Sequence, residues 1–385
     1  MFENRISLFS LFGFKVKLDI TWFILAVLIT WSLAKGVFPH YFEGLNTATY
    51  WWMGAAGAVG LFVSIIFHEF FHSLVAKYYG MPMKGITLFI FGGVSEMEDE
   101  PESPKIEFLM AIAGPISSVV LSGIFYLMMK VGNSMGLPKP IGGVLGYLSI
   151  INVVLAVFNL IPAFPLDGGR VLRSILWGAK HNLRWATRVA SSFGSAFGIF
   201  LIIMGIISFI AGNFIGGLWY FLIGMFIRGA SKMSYKQLII RKALAGERVE
   251  RFMKTDPITV PPNLTVSELV RNYFYKYHYK MFPVLEDGTV KGCITTREIK
   301  QIPHEQWGNH KVGDLVQPCT NENSVSLHTD AVKALSLMSS TGNSRLIVLD
   351  AGERLAGIVT LKDLLKFLAL KIDLEEDEKL DLPQI

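Results

Sequence analysis

Six long apolar segments constrain the fold of this chain more than any other feature of its sequence. They cover approximately residues 20–38, 52–76, 108–129, 141–161, 189–210 and 214–227. A membrane-spanning α-helix needs about 20 apolar residues, so the first five are long enough to span and the sixth is short. Hydrophobic residues make up 51% of the chain and charged residues only 17%. We therefore expect a polytopic α-helical membrane protein with about six spans.

Lysine and arginine are distributed unevenly around these segments. If the segments alternate in direction, most basic residues fall on one side, which the positive-inside rule assigns to the cytosol. Both termini and the polar last third, which holds both cysteines, are then cytosolic, and the protein is a multi-pass protein of the cell membrane. The same distribution accounts for the net charge of +5 without a nucleic-acid partner. The N-terminal segment has no small-residue cleavage site and is interpreted as a mature juxtamembrane segment.

The second apolar segment contains the sequence "HEFFH" at residues 68–72. Ionisable residues inside a membrane helix are costly and usually functional. On a helix, His68 and His72 lie one turn apart on the same face, so both imidazoles can bind one tetrahedral zinc ion. Glu69 lies beside them and can act as a general base on water. The alternative is a buried histidine pair that only helps helices to pack, which leaves Glu69 without a role.

A third metal ligand is expected at a similar depth in the membrane. The best candidate is Asp167 in "FNLIPAFPLDGG" at residues 158–169, where two prolines interrupt an apolar segment. Asp167 could instead be a helix cap. Asn159 in the same stretch could hydrogen-bond the substrate backbone or the oxyanion, or it could be a packing amide between helices.

The connection between the second and third apolar segments predicts a β-hairpin. Residues 86–91 form an extended run, Gly92 and Gly93 follow as the turn, and residues 94–97 return. Strand edges are not tolerated facing lipid, so the hairpin must be buried in protein or line a water-filled cavity. A substrate could add to it as a further strand, which makes Gly92 and Gly93 candidate substrate-binding residues. The alternative is a surface hairpin without a function.

The last third of the chain contains an internal repeat. A charged helical linker at 231–247 precedes two similar units at 248–303 and 309–370, and an acidic tail follows at 371–385. Each unit has a short strand, a capped helix, two strands and a last helix. The pair resembles a tandem CBS (cystathionine-beta-synthase) domain, a cytosolic α/β module.

Together, the two motifs in the apolar segments resemble the site-2 protease family of intramembrane zinc metalloproteases, over about residues 15–230. The resemblance implies that His68, His72 and Asp167 bind one zinc ion per chain and that Glu69 is the general base. It also implies regulated intramembrane proteolysis, the hydrolysis of a peptide bond in a membrane-spanning helix of a single-span or membrane-associated substrate protein.

The same resemblance places a transmembrane protease domain at residues 1–230 and a re-entrant β-hairpin near the substrate. The family's "AGP" element stands here at residues 113–115. Ser118 occupies a place where an asparagine is common, which leaves only the role of that asparagine open.

The CBS resemblance implies a nucleotide site and a route to regulation. The last helix of each repeat opens with a threonine and an acid, Thr295 with Glu298 and Thr360 with Asp363, and the matching positions in CBS pairs commonly hold phosphate and ribose. Asp363 has the usual reach for an adenine nucleotide, whereas Glu298 is one methylene longer, so we expect the nucleotide at the site that uses Asp363 and a weak or empty site beside Glu298. The pair could instead serve only as a homodimerisation or substrate-docking module.

A second class of function is a membrane transporter or channel gated by the CBS pair. Such a protein would favour ion-path carboxylates in several apolar segments, but the first, third and fifth segments carry none.

Overall fold

The computed structural model describes residues 5–11, 14–81, 83–89, 92–97 and 100–376 of the chain. The chain divides into two compact units. We call residues 1–236 the membrane unit and residues 237–385 the repeat unit.

The long helices that begin in the membrane unit are α1 (Thr21–Tyr41), α2 (Thr47–Tyr78), α3 (Pro104–Ser134), α4 (Lys139–Asn159), α5 (Asp167–Lys180), α6 (Leu183–Ile210) and α7 (Phe214–Leu244). In the described part of the chain six of them, all but α5, are long and apolar enough to cross a membrane. This confirms the predicted polytopic α-helical fold. Large apolar side chains such as those of Val59, Val157 and Ile210 are exposed, as expected of helices that face lipid.

Two helix bounds differ from the sequence prediction. The helix of the sixth apolar segment does not end near residue 227: α7 continues to Leu244 through residues of the linker, which is helical as predicted but continuous with the span. Helix α5 was not predicted as a helix. Its apolar residues are interspersed with basic ones, so no long apolar run marks it, and it ends where His181 adopts a left-handed conformation with φ of 52°.

A four-stranded sheet has the order β1 (Arg5–Leu11), β2 (Phe14–Asp19), β3 (Met83–Phe89) and β4 (Gly92–Met97). The β2–β3 pair is parallel and the other two pairs are antiparallel. The N-terminal strands were missed by the juxtamembrane interpretation, although Phe14, Val16 and Leu18 alternate in the sequence and are all buried. Strands β3 and β4 pack against α2.

The predicted hairpin is present, but its turn is placed differently. Gly92 pairs with Phe89 and Gly93 with Leu88, so both glycines begin strand β4 and do not form the turn. The prediction was wrong because a Gly-Gly pair is a turn signal that also occurs in strands. The connecting residues 90 and 91 lie outside the described residues.

The described part of the repeat unit has one hydrophobic core for each repeat and a third cluster in which Met281 and Cys293 of the first repeat pack with Ile347 of the second. Its main elements are α8 (Val266–Leu269, extended by Val270–Phe274 and Tyr275–Tyr277), β5 (Met281–Glu286), β6 (Thr289–Thr295), α9 (Thr296–Ile299), β7 (Ser324–Ser326), α10 (Ala331–Thr341), β8 (Arg345–Leu349), β9 (Leu355–Thr360) and α11 (Leu361–Glu376). The chain entering the first repeat packs in the core of the second, where Leu244 and Val249 contact the cluster around Leu346 and Val359. The two repeats are therefore interlocked.

Candidate metal centre

The three predicted metal ligands, His68, His72 and Asp167, lie close together within the membrane unit. The Nε2 atoms of His68 and His72 lie 3.2 Å apart, and Oδ2 of Asp167 lies 3.0 Å from the first and 3.1 Å from the second. Ligand atoms placed about 2.0–2.1 Å from a tetrahedral metal are about 3.3–3.4 Å apart. The spacing therefore suits a tetrahedral ion with three protein ligands. Among the described residues this is the one such group of histidine, cysteine and acidic side chains.

Helix α2 places both histidines on one face, and α3 fixes their rings. Nδ1 of His72 lies 2.7 Å from the carbonyl oxygen of Met110, and Nδ1 of His68 lies 2.9 Å from the hydroxyl of Ser118. A carbonyl oxygen only accepts hydrogen bonds, so Nδ1 of His72 must donate. In the neutral imidazole this leaves the lone pair on Nε2, directed at the other two ligand atoms.

Gly114 on α3 makes room for the two rings. A Cβ atom at this position would overlap Nε2 of His72 and lie 2.6 Å from Nε2 of His68. The site therefore contains a space that any side chain would fill. The Ala113-Gly114-Pro115 element is visible in the sequence, but its role is not, because that role depends on a contact between helices that sequence spacing does not show.

Asp167 is the first residue of α5, and the preceding turn is packed closely against it. A Cβ atom at Gly168 would overlap the carbonyl oxygen of Leu160, and one at Gly169 would overlap the amide nitrogen of Phe164. Only glycine fits at both positions. The carbonyl of Phe164 also accepts a hydrogen bond from the hydroxyl of Ser231 on α7. These contacts fix where α5 begins and thereby the position of Asp167.

The electrostatics of the site suit a metal ligand. The Asp167 side chain is 14% exposed. Burial favours its neutral form, but the neighbouring imidazoles of His72 and His68, when protonated on Nε2, hold the pKa of Asp167 below its usual range, and a metal ion would take the place of those protons. The carboxyl group is therefore ionised at neutral pH, which metal binding requires.

Both parts of the chain are similar to known proteins. Residues 56–142 and 128–205 match the family model described as Peptidase family M50, and residues 249–305 and 312–370 each match the CBS domain model. A Mycobacterium tuberculosis protein named zinc metalloprotease Rip3 is 30% identical, over 95% of this chain and 93% of the relative. A Synechocystis protein named zinc metalloprotease sll0528 is 33% identical, over 95% of this chain and 96% of the relative. The chain belongs to peptidase family M50.

This M50 peptidase is a zinc metalloprotease of the site-2 protease type and a multi-pass membrane protein with a C-terminal CBS pair. The solved site-2 protease from Methanocaldococcus jannaschii is 29% identical, and the match covers 60% of this chain and 94% of that one with a TM-score of 0.44. Zinc is the metal that the family implies. Two imidazole nitrogens and one carboxylate oxygen are ligands that zinc accepts, so the three residues fit it.

An apolar cavity of about 270 Å³ borders the metal centre of the M50 peptidase. Its wall includes His68, the half-buried Glu69 and Asn159, together with apolar side chains of α1, α2, α4 and α7. The side-chain amide of Asn159 donates to the carbonyl of Leu155 at 3.1 Å, as a helix-packing amide would. The structure thus brings Glu69 and Asn159 to one cavity beside the ligand atoms.

The candidate nucleotide residues of the CBS pair all make local capping contacts. Glu298 is buried and accepts a hydrogen bond from the backbone amide of Thr295 at 2.8 Å. The hydroxyl of Thr360 donates to Asp363, and the amide of Asp363 donates back to that hydroxyl at 3.2 Å. A cavity of about 410 Å³ borders the Thr295–Glu298 pair and includes three cationic side chains, Lys280, Arg297 and Arg345.

Proposed function

We propose that this M50 peptidase hydrolyses a peptide bond in a membrane-spanning segment of a substrate protein. In this proposal His68, His72 and Asp167 hold one zinc ion per chain and Glu69 is the general base. One observation carries it: the three ligand atoms lie 3.0–3.2 Å from one another, and one of the three residues, His68, lines an apolar cavity that Glu69 also borders.

The cavity suits the side chains of a membrane segment, because apolar residues line most of it, such as Leu61 on α2 and Trp219 on α7. In a helix the backbone carbonyls are already paired, so a substrate must unwind locally before its peptide bond can react. Strand β4 lies at the edge of the sheet, next to β3 only. We propose that the unwound segment adds to this edge, where Gly92 and Gly93 let a second backbone approach closely.

The chain's own residues move the proton and orient the substrate. When bound, zinc supplies Lewis-acid chemistry that lets water attack a carbonyl at neutral pH. Glu69 takes the proton from the attacking water and later delivers it to the leaving nitrogen. Asn159 turns its amide from Leu155 to the carbonyl oxygen of the scissile bond, on which negative charge develops.

The ligand assignment is tested by metal analysis of the purified full-length protein. We expect about one zinc per chain, loss of that zinc in His72→Ala and Asp167→Ala, and retained zinc in Glu69→Gln, because a base is not a ligand. Stoichiometric zinc in both of the first two variants would contradict the assignment.

The reaction is tested by co-expression with candidate single-span membrane proteins. We expect cleavage by the parent chain and none above background with Glu69→Gln. General acid–base catalysis contributes about 10²–10⁴-fold to a rate, so the difference in cleaved product between the parent and Glu69→Gln should be visible by gel electrophoresis. Equal cleavage by both would show that the protease activity lies elsewhere.

The CBS pair is the proposed site of regulation, and the cytosol is the proposed location of both termini. We propose that an adenine nucleotide binds the CBS pair and modulates cleavage, that the pair can form a homodimer, and that both termini are cytosolic. The cavity beside Glu298, with its three cationic side chains, supports a ligand that carries phosphate. A ligand can shift activity only if it binds two states of the protein unequally. Comparing cleavage rates with and without ATP, ADP and AMP tests the modulation.

A further inference from the structure

A buried cluster of charged side chains lies beside the metal centre. Arg173, six residues after Asp167 on α5, is 3% exposed. Its Nε donates to Oε1 of Glu107 at 2.6 Å, and a terminal nitrogen donates to Oε2 of Glu100 at 2.9 Å. Glu107 is completely buried in the first turn of α3. Burying ions in this way often contributes nothing to stability compared with apolar side chains of similar volume, so the cluster calls for another explanation.

The two helices joined by this cluster are the ones that arrange the metal ligands. Glu107 lies one helical turn before Met110, whose carbonyl accepts the hydrogen bond from His72 at 2.7 Å. Arg173 lies on the helix that begins with Asp167. The contacts therefore close a ring, from His72 through α3 and the ion pair to α5 and back through Asp167. Any shift of α5 against α3 therefore changes the distance between His72 and Asp167.

Arginine is suited to fixing such a position. Its planar guanidinium holds its nitrogens in a rigid fork, so two carboxylates restrain it in two directions at once. The ring of Phe164, in the turn just before Asp167, lies 5.1 Å from the central guanidinium carbon. Among the described residues Oε2 of Glu107 has no hydrogen-bond partner, so the carboxyl group is held through Oε1, which accepts from Arg173.

We propose that Arg173 and Glu107 are positioning residues of the metal centre, which hold α5 against α3 so that Asp167 stays within reach of both imidazoles. The inference rests on the ligand assignment of the proposed function. It goes beyond that assignment, because neither side chain touches the ligand atoms. Glu100 is 37% exposed and restrains Arg173 from the chain that leads into α3, so its part is the smaller one.

The test separates positioning from stability. In the double variant Arg173→Met/Glu107→Leu both charges are removed together, so no buried ion is left unpaired and the fold should be retained. We expect it to melt close to the parent but to bind zinc about tenfold or more weakly, measured by chelator competition on the purified full-length protein. We also expect the visible spectrum of the cobalt-substituted protein to shift. The zinc affinity of Arg173→Lys should lie between those of the parent and the double variant. Lys180→Met, at the exposed end of α5, should have the parent's zinc affinity.

A double variant with the parent's zinc affinity and cobalt spectrum would overturn the inference and leave the pair a structural role only. If the double variant does not fold, Arg173→Lys decides by the same two readouts, because it keeps the charge and loses the fork. Asp167→Ala is measured in parallel. Retained zinc in that variant refutes Asp167 as a ligand, on which this inference rests, whereas lost zinc there with unchanged zinc in the Arg173 variants refutes this inference alone.

Discussion

The membrane unit and the repeat unit differ in how many polar side chains they bury and in what those side chains contact. The membrane unit buries His68, His72, Glu107 and Arg173 among apolar helices, and each contacts a named partner. In the described part of the repeat unit, Glu298 is the one polar or charged side chain that is buried, and it caps a helix. Polar groups are costly in an apolar span, so in the membrane unit they indicate function. In a soluble module the same residue types also serve as caps, so they indicate less.

We expect the largest effect from filling the space that Gly114 leaves for the two imidazole rings in the membrane unit. Gly114→Ala should abolish stoichiometric zinc binding, with affinity falling about a hundredfold or more, because the new methyl group takes the place of an imidazole nitrogen. Gly123→Ala on the same helix is the matched control, since a Cβ atom there meets nothing within 4 Å. Metal analysis with chelator competition measures both. Parent-like zinc affinity in Gly114→Ala would show that the rings can move aside.

The same kind of substitution in the repeat unit should affect folding and not zinc. Gly292 has φ of 146°, and a Cβ atom there would overlap the carbonyl oxygen of Gln317. We expect Gly292→Ala to lower the free energy of unfolding of the repeat unit by about 2–4 kcal/mol. Hydrogen exchange in residues 281–295 reports it, and Gly308→Ala, with open space around it, is the control. A loss of zinc without faster exchange would contradict the contrast between the units.

The two repeats should differ in how strongly they bind an adenine nucleotide. Side-chain reach favours Asp363 as the nucleotide ligand, but the cavity with cationic side chains lies beside Glu298. We expect Glu298→Gln to weaken adenine-nucleotide binding to the full-length protein by about ten- to thirtyfold, the cost of losing a charged hydrogen bond. Asp363→Asn should have a smaller effect. Calorimetric titration with ATP, ADP and AMP decides, and the reverse order would assign the site to the second repeat.

The smallest expected effect concerns the ring of His68. Ser118→Ala removes the hydroxyl that lies 2.9 Å from Nδ1, so the ring loses its restraint, and zinc affinity should fall about tenfold, at the low end for such a partner. Ser117→Ala is the matched control, because that hydroxyl donates to the carbonyl of Gly114 and not to a histidine. Equal affinities in both variants would mean that His68 needs no such support.

Local sequence patterns were enough for the six long apolar helices and for the candidate ligands, but not for α5. A span is a continuous apolar run of a length set by the bilayer, and His68 and His72 share a face because a helix turns once in 3.6 residues. The six predicted spans, the M50 family and the CBS pair are all confirmed. Asp167 was found because an acid after two prolines stands out in an apolar stretch.

The sequence by itself therefore determined the six spans, the repeat and the three residues whose ligand atoms meet. The tertiary structure alone decided what surrounds them: that Gly114 makes room for two rings, that Arg173 joins α5 to Glu107 on α3, and that Gly92 begins a strand. The reason is the range of the interactions. Spans and helix faces follow from neighbours along the chain, whereas these three features depend on contacts that close only when separate elements pack, and no periodicity in the sequence records them.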